Sequence, residues 1–224
     1  MLLGIFRINK SGADLTDEAK DNLQQVIGPL FASAMGHFET FQKCLFAGAI
    51  EVTRLLADWD VKQGLKLIAE KLDASPDRML AYRGLGAQVG IVFADGLPGW
   101  HSPSGVVEYF KCFDRNINFF SNDEIDDLNV LWQLRHTLVH TGGWLTLPDA
   151  QKLKRLQGLG SRALRFNEQF MFAFTRLMHR LTRDSVGRLE NRLRARLQDG
   201  LSSEDRKIFD SLFRCESPAV TYFK

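Results

Sequence analysis

Ser121-Asn122-Asp123-Glu124-Ile125-Asp126-Asp127-Leu128-Asn129-Val130-Leu131-Trp132-Gln133-Leu134-Arg135-His136-Thr137-Leu138-Val139-His140-Thr141-Gly142-Gly143 reads as one complete helix with both ends marked. Ser121 and Glu124 form a capping box, in which hydroxyl and carboxylate satisfy free amides reciprocally, so the helix starts there. It runs to about Thr141, where Gly142 supplies the left-handed residue that ends it. On a wheel, Leu128, Leu131, Trp132, Leu138 and Val139 all fall within about 60° of Arg135, which places the arginine in the apolar stripe. Asn129, Gln133, His136 and His140 form a polar strip beside it.

Helical signals continue to either side. Thr16 caps a first helix whose opening turn holds Asp17 and Glu18, and Gly28-Pro29 is expected to break it. From Pro29 to about Trp59, Phe31, Phe38, Phe41, Leu45, Val52 and Leu56 recur at helical spacing and predict a long core helix. A shorter helix is predicted over Val61 to Leu72, and Ser75-Pro76-Asp77 opens a further turn or two. The stretch 84–105 carries eight glycines and prolines and predicts a long loop. In it, Trp100-His101 either lines a cleft or anchors the loop by burying the indole. Val106 to Phe113 reads as a short helix. After Pro148 come a helix through Leu156, a hinge at Gly158 and Gly160, a long helix from about Ser161 to Gln198, and a final helix after Ser202 or Ser203. No strand is predicted, so the expected class is all-α. The expected organisation is a helical domain over 1–147 and a basic helical extension over 148–224.

Composition sets outer limits. Hydrophobic residues at 45% and charged residues at 25% are ordinary globular values. Met1 to Arg7 lacks the basic-then-apolar order of a signal peptide, and no run of about 18 apolar residues could span a bilayer. Cys44, Cys112 and Cys215 are odd in number and lack CxxC spacing, so neither a disulfide framework nor a zinc knuckle is expected, and a cytoplasmic setting fits. The net charge of +2 hides an asymmetry: residues 1–150 sum to −6 and residues 151–200 to +8. Within the latter, Arg176, Arg180, Arg183, Arg188 and Arg192 are candidate phosphate contacts, the alternative being a solvated face that pairs with acids of the same chain.

Arg135, His136 and His140 are the candidate catalytic residues. A buried guanidinium cannot shed its charge and must find an anion, either a carboxylate of its own fold, such as Glu51, or a phosphate. His136 and His140 lie one helical turn apart, suited to proton transfer, to packing, or to sharing a metal ion, although no third ligand is evident. No P-loop, dinucleotide fingerprint or nucleophile elbow occurs, and no cofactor is expected.

Arg135-His136-Thr137-Leu138-Val139-His140 with Gly142-Gly143 resembles the Arg-polar-x-x-x-His signature of HEPN domains, all-helical proteins that include many metal-independent endoribonucleases. The resemblance spans 15–145 in architecture and about ten residues in detail; His136 stands where asparagine is frequent. It implies a HEPN-like bundle that dimerises at the motif. Arg135 would face the phosphorane formed when the RNA 2′-hydroxyl attacks, His140 would transfer a proton, and His136 would position the phosphate or a partner group. The implied protein is a homodimeric ribonuclease, a toxin or defence nuclease checked by a protein antitoxin or regulator. The alternative is a non-catalytic HEPN-like module for dimerisation, nucleotide binding or partner docking.

Overall fold

The computed structural model describes residues 17–82, 86 and 88–214. The Thr16 cap, Gly84-Leu85 and Cys215 lie outside them. The described chain is all-α apart from one two-stranded ribbon. In order come α1 (Asp17–Val52), a 3-10 turn (Thr53–Leu55), α2 (Val61–Ala69), α3 (Pro76–Ala81), α4 (Val89–Gly96), α5 (Pro103–Phe110) and α6 (Asn122–His140). Then follow β1 (Trp144–Leu145), α7 (Leu147–Gln151), a 3-10 turn (Lys154–Leu156), β2 (Arg162–Ala163), α8 (Glu168–Arg194) and α9 (Ser203–Phe213). By contacts the chain groups Met1–Met35 with Gln133–Thr175 and Gly36–Trp132 with Arg176–Lys224. This grouping interleaves the chain, whereas the division expected at 147/148 is linear.

In the first unit, Pro29 does not break α1, contrary to expectation. Proline inside a helix costs about 3 kcal/mol through a lost amide and a clash one turn back. Here Pro29 and Gln25, whose carbonyl loses its donor, are both exposed, so water can serve that carbonyl. The flanking turns bury Ile27, Phe31 and Met35 completely or nearly so. Phe31 lies among Phe166, Phe170 and Phe174 with ring centroids 5.6, 5.4 and 5.0 Å away. Burying three such side chains, at roughly 2 kcal/mol each, outweighs the proline.

In the second unit, Phe46 meets Trp100, Phe110 and Phe113 at 5.5, 5.7 and 5.4 Å, and Phe110 stacks on Phe119 at 3.7 Å. The expected loop at 84–105 instead contains α4 and the start of α5. Its glycines serve close approach: a Cβ on Gly90 would lie 2.1 Å from the Ala47 carbonyl oxygen, and one on Gly96 would lie 2.9 Å from that of Asp73. Trp100 is buried and donates its indole N–H to the Ala94 carbonyl at 2.8 Å, which is the anchoring role. Ser102 caps α5, with Pro103 in its first turn.

The capping box of α6 forms as expected. The Ser121 amide donates to Glu124 Oε2 at 2.7 Å, and the Glu124 amide to Ser121 Oγ at 3.3 Å. Glu124 also receives Arg188 in a two-pronged ion pair of 2.6 and 3.0 Å. Burial pushes the Glu124 carboxyl up, but the Arg188 and Ser121 hydrogen bonds and the Arg188 charge outweigh it and hold it below the usual carboxylate range. A carboxyl lowered by folding stabilises the fold fully above its unfolded value of about 4.3 and loses that contribution as pH falls through the folded value. Arg188→Ala should therefore cost roughly 3 kcal/mol at neutral pH, near the lower end for breaking a buried ion pair because Arg188 is partly exposed. The deficit should shrink in urea melts run below the ordinary carboxylate range; a cost unchanged in acid would exclude the pair as its source.

Three further expectations are corrected. The helix expected after Pro148 through Leu156 is α7 plus a separate 3-10 turn. The long helix expected from Ser161 begins instead at Glu168, where the Asn167 side chain accepts from the Phe170 amide at 2.8 Å. Ser161 sits at φ 59°, and the ribbon that follows pairs Trp144 with Ala163 and Leu145 with Arg162, where the sequence predicts no strand. Two-residue strands carry no readable periodicity. No described helix is long and apolar enough to cross a membrane. Cys44 is exposed and Cys112 buried, both as free thiols.

Candidate active site at the end of the motif helix

The site is built on the last turns of α6, within the first unit. His136 and His140 are both exposed, and their rings lie 4.5 Å apart between centroids. One helical turn separates them, which stacks their Cβ atoms along one face. Arg135 is half-buried, with its Nε removed from solvent. Its wheel position in the apolar stripe is corrected. Leu128, Leu131 and Trp132 are buried as expected, but Val139 is 52% exposed and Thr137 fully buried. The buried face swings by more than a third of a turn between the two halves of α6, from Glu124, Leu128, Leu131 and Trp132 to Leu134 and Thr137, which leaves Arg135 at the border of the second. Glu51, considered as a structural partner for Arg135, uses its Oε1 on the Gly90 amide at 2.6 Å.

The helix end is fixed by its termination. Gly142 and Gly143 take φ values of 60° and 87°, a left-handed pair that a side chain would strain. They fold the chain back so that the Gly143 amide donates to the Thr137 carbonyl, six residues earlier, at 3.1 Å. The Thr141 amide and hydroxyl donate to that carbonyl at 3.1 and 2.7 Å.

Sequence reasoning missed one member of this neighbourhood. Asp149 is buried, accepts from the Thr146 hydroxyl at 2.8 Å and pairs with Lys152 at 2.7 Å. Those two hydrogen bonds, opposed by burial and helped by the charges of Lys152 and His136, hold its carboxyl below the usual range. Thr146-Leu147-Pro148-Asp149 carries a capping signature of the kind read at Ser121 to Glu124, and that signal could have found it. Among the described residues, no group of three or more His, Cys, Asp or Glu could hold a metal ion.

The candidate phosphate-binding arginines of α8 are unequally placed. Arg188 is committed to Glu124 and to the Phe119 carbonyl at 3.0 Å. Arg183 reaches Asp184 at 2.9 Å, while Arg180 and Arg192 make looser pairs of 3.8 and 3.7 Å with Asp127 and Asp114. Exposed pairs of this kind are worth about 0 to 1 kcal/mol and can open toward a phosphate. Arg176 is exposed and carries no ion pair among the described residues. Comparison with protein-family models, with curated proteins and with solved structures gave no match in any of the three.

Proposed function

We propose that the chain is a metal-independent endoribonuclease of the HEPN type, acting as a homodimer through Arg135, His136 and His140. The observation that carries this reading is the pair of solvent-facing imidazoles 4.5 Å apart beside Arg135, on a helix end locked by Gly142 and Gly143. Cleavage by the RNA's own 2′-hydroxyl needs a base for that proton, a cation for the phosphorane and an acid for the leaving oxygen. The 2′-oxygen attacks phosphorus and the bond to the 5′-oxygen breaks. A 2′,3′-cyclic phosphate and a 5′-hydroxyl result, with the proton lost at the first oxygen balanced by the one gained at the second. His140 transfers a proton, Arg135 meets the phosphorane charge, and His136 orients the phosphate or the neighbouring ring. A toxin or defence nuclease restrained by a protein partner is the setting this reading favours.

The test is incubation of the purified protein with mixed RNA in EDTA, beside the same strands with 2′-deoxyribose, with particle mass read by light scattering. Chelator-resistant cleavage of RNA alone, by a species of twice the chain mass, is expected. Cleavage of the deoxy strands, or dependence on added metal, would remove the mechanism. An inert protein would favour the non-catalytic dimerisation, nucleotide-binding or partner-docking module.

A further inference from the structure

The ribbon that follows the motif helix sets Trp144 apart from the molecule's other tryptophans. Trp100 and Trp132 are buried and Trp59 is half-buried, whereas Trp144 is 51% exposed. That exposure follows from the register. Successive strand residues face opposite sides, and Leu145 takes the inward side at 1% exposure, so Trp144 must face outward. Its backbone is held firmly: its amide donates to the Thr141 carbonyl at 3.1 Å, its carbonyl accepts from the Thr141 hydroxyl at 2.7 Å, and the Leu164 amide donates to the Gly143 carbonyl at 2.7 Å. An outward strand position next to water is satisfied by almost any polar residue, yet it holds the largest apolar side chain, tied to the residue that follows His140.

The segment that carries it is basic. Residues 144–165 contain five basic residues and one acidic residue. Lys152, Lys154, Arg155, Arg162 and Arg165 are all exposed, although Lys152 pairs with the buried Asp149 at 2.7 Å and Arg165 loosely with Asp21 at 3.8 Å. Arg162 pairs with Leu145, so its side chain leaves the ribbon on the face away from Trp144 and reaches solvent from there. An exposed aromatic face on a fixed backbone, carried by an exposed basic segment, suits single-stranded nucleic-acid binding, in which bases stack and phosphates are neutralised.

Resting on the RNA reading of the adjacent histidines, we propose that Trp144 is a stacking platform for an unpaired base and that the exposed cations of 152–165, Lys154 and Arg162 among them, neutralise phosphates of the same strand. The substrate is therefore single-stranded RNA, presented to His136 and His140 by the nucleotide stacked on the indole. A base inside a duplex offers no free face to Trp144, so paired RNA is excluded from this mode.

The test uses an uncleavable single-stranded 2′-O-methyl oligonucleotide and its blunt duplex, titrated in EDTA into the full chain, with binding read by anisotropy and by intrinsic tryptophan fluorescence. The single strand should bind in preference to the duplex. Trp144→Ala should weaken single-strand binding about tenfold, and Trp144→Phe by less than about threefold, because phenylalanine still stacks. Trp144→Phe should nevertheless abolish most of the fluorescence quench, which a purely structural role would leave in place. The double variant Lys154→Ala with Arg162→Ala should flatten the salt dependence, lowering the slope by about 0.7 for each phosphate no longer neutralised. Wild-type affinity in Trp144→Ala, preference for duplex, no binding by the wild type, or a halved particle mass in Trp144→Ala would each overturn the proposal, the last by making the indole a contact between copies. Trp144-dependent binding without cleavage of natural RNA would uphold it and remove the nuclease reading alone. Cleavage with Trp144-independent binding would do the reverse.

Discussion

His140→Ala is expected to slow single-turnover RNA cleavage by about a hundredfold or more, the range for losing a positioned proton-transfer group, with little change in thermal stability. The two effects separate because of exposure. His140 lies at the end of α6 with its ring exposed, its side chain makes no hydrogen bond among the described residues, and that side chain contributes mainly its contact with His136 to the fold. Surface substitutions of that kind stay within about 0.5 kcal/mol. Arg135→Ala should cost a comparable factor in rate, since a cation facing the phosphorane acts most strongly in the transition state, and His136→Ala should be milder. The measurement is cleavage at saturating protein beside a melting curve for each variant. A folded His140→Ala protein that cleaves at the wild-type rate would end the case for this site.

Gly90→Ala should destabilise the second unit by roughly 3 kcal/mol or more, the upper range for forcing extra volume into a close contact. The added Cβ would lie 2.1 Å from the Ala47 carbonyl oxygen and 2.7 Å from its carbon, both backbone atoms of α1 that cannot swing aside. The same displacement would pull the Gly90 amide from Glu51, a 2.6 Å bond to a carboxylate. Gly187→Ala is the matched control within that unit. It lies inside α8 with nothing within 4 Å of the added carbon, so it should stabilise by about 1 kcal/mol through helix propensity alone. Opposite shifts in urea midpoints are expected, and a neutral Gly90→Ala would mean that α4 does not approach α1 this closely.

Glycines also explain what the sequence can and cannot reveal. A glycine signals loss of helix propensity whether it is there for a turn or for a close approach, and only the neighbour decides which. Gly90 and Gly96 read as loop residues and serve close packing, so α4 stays hidden in the sequence. Gly142 reads as a helix stop and is one, because the capping box at Ser121 and the apolar spacing before it agree. Pro29 misleads for a related reason: its penalty is local, whereas the burial of Phe31 against Phe166, Phe170 and Phe174 comes from residues over 130 positions away. At the site, the spacing of His136 and His140 is legible since one turn of helix fixes it. Asp149, Trp144 and the Arg188–Glu124 pair are not, since each depends on where the chain goes after the helix ends.

The ending of α6 bears on when order is established. Helix termini ordinarily fray, because their last carbonyls lack partners and the terminal turn opens at almost no free-energy cost. In this chain the Thr137 carbonyl collects three donors, the Thr141 amide and hydroxyl and the Gly143 amide, at 3.1, 2.7 and 3.1 Å. The start of the turn that carries His140 is thereby tied to the chain beyond the helix end. The conformational entropy lost in bringing the two imidazoles together, on the order of 1–2 kcal/mol per backbone residue, is met when the chain folds. An incoming molecule then meets rings already at their separation, and its binding free energy need not be diverted to assembling them.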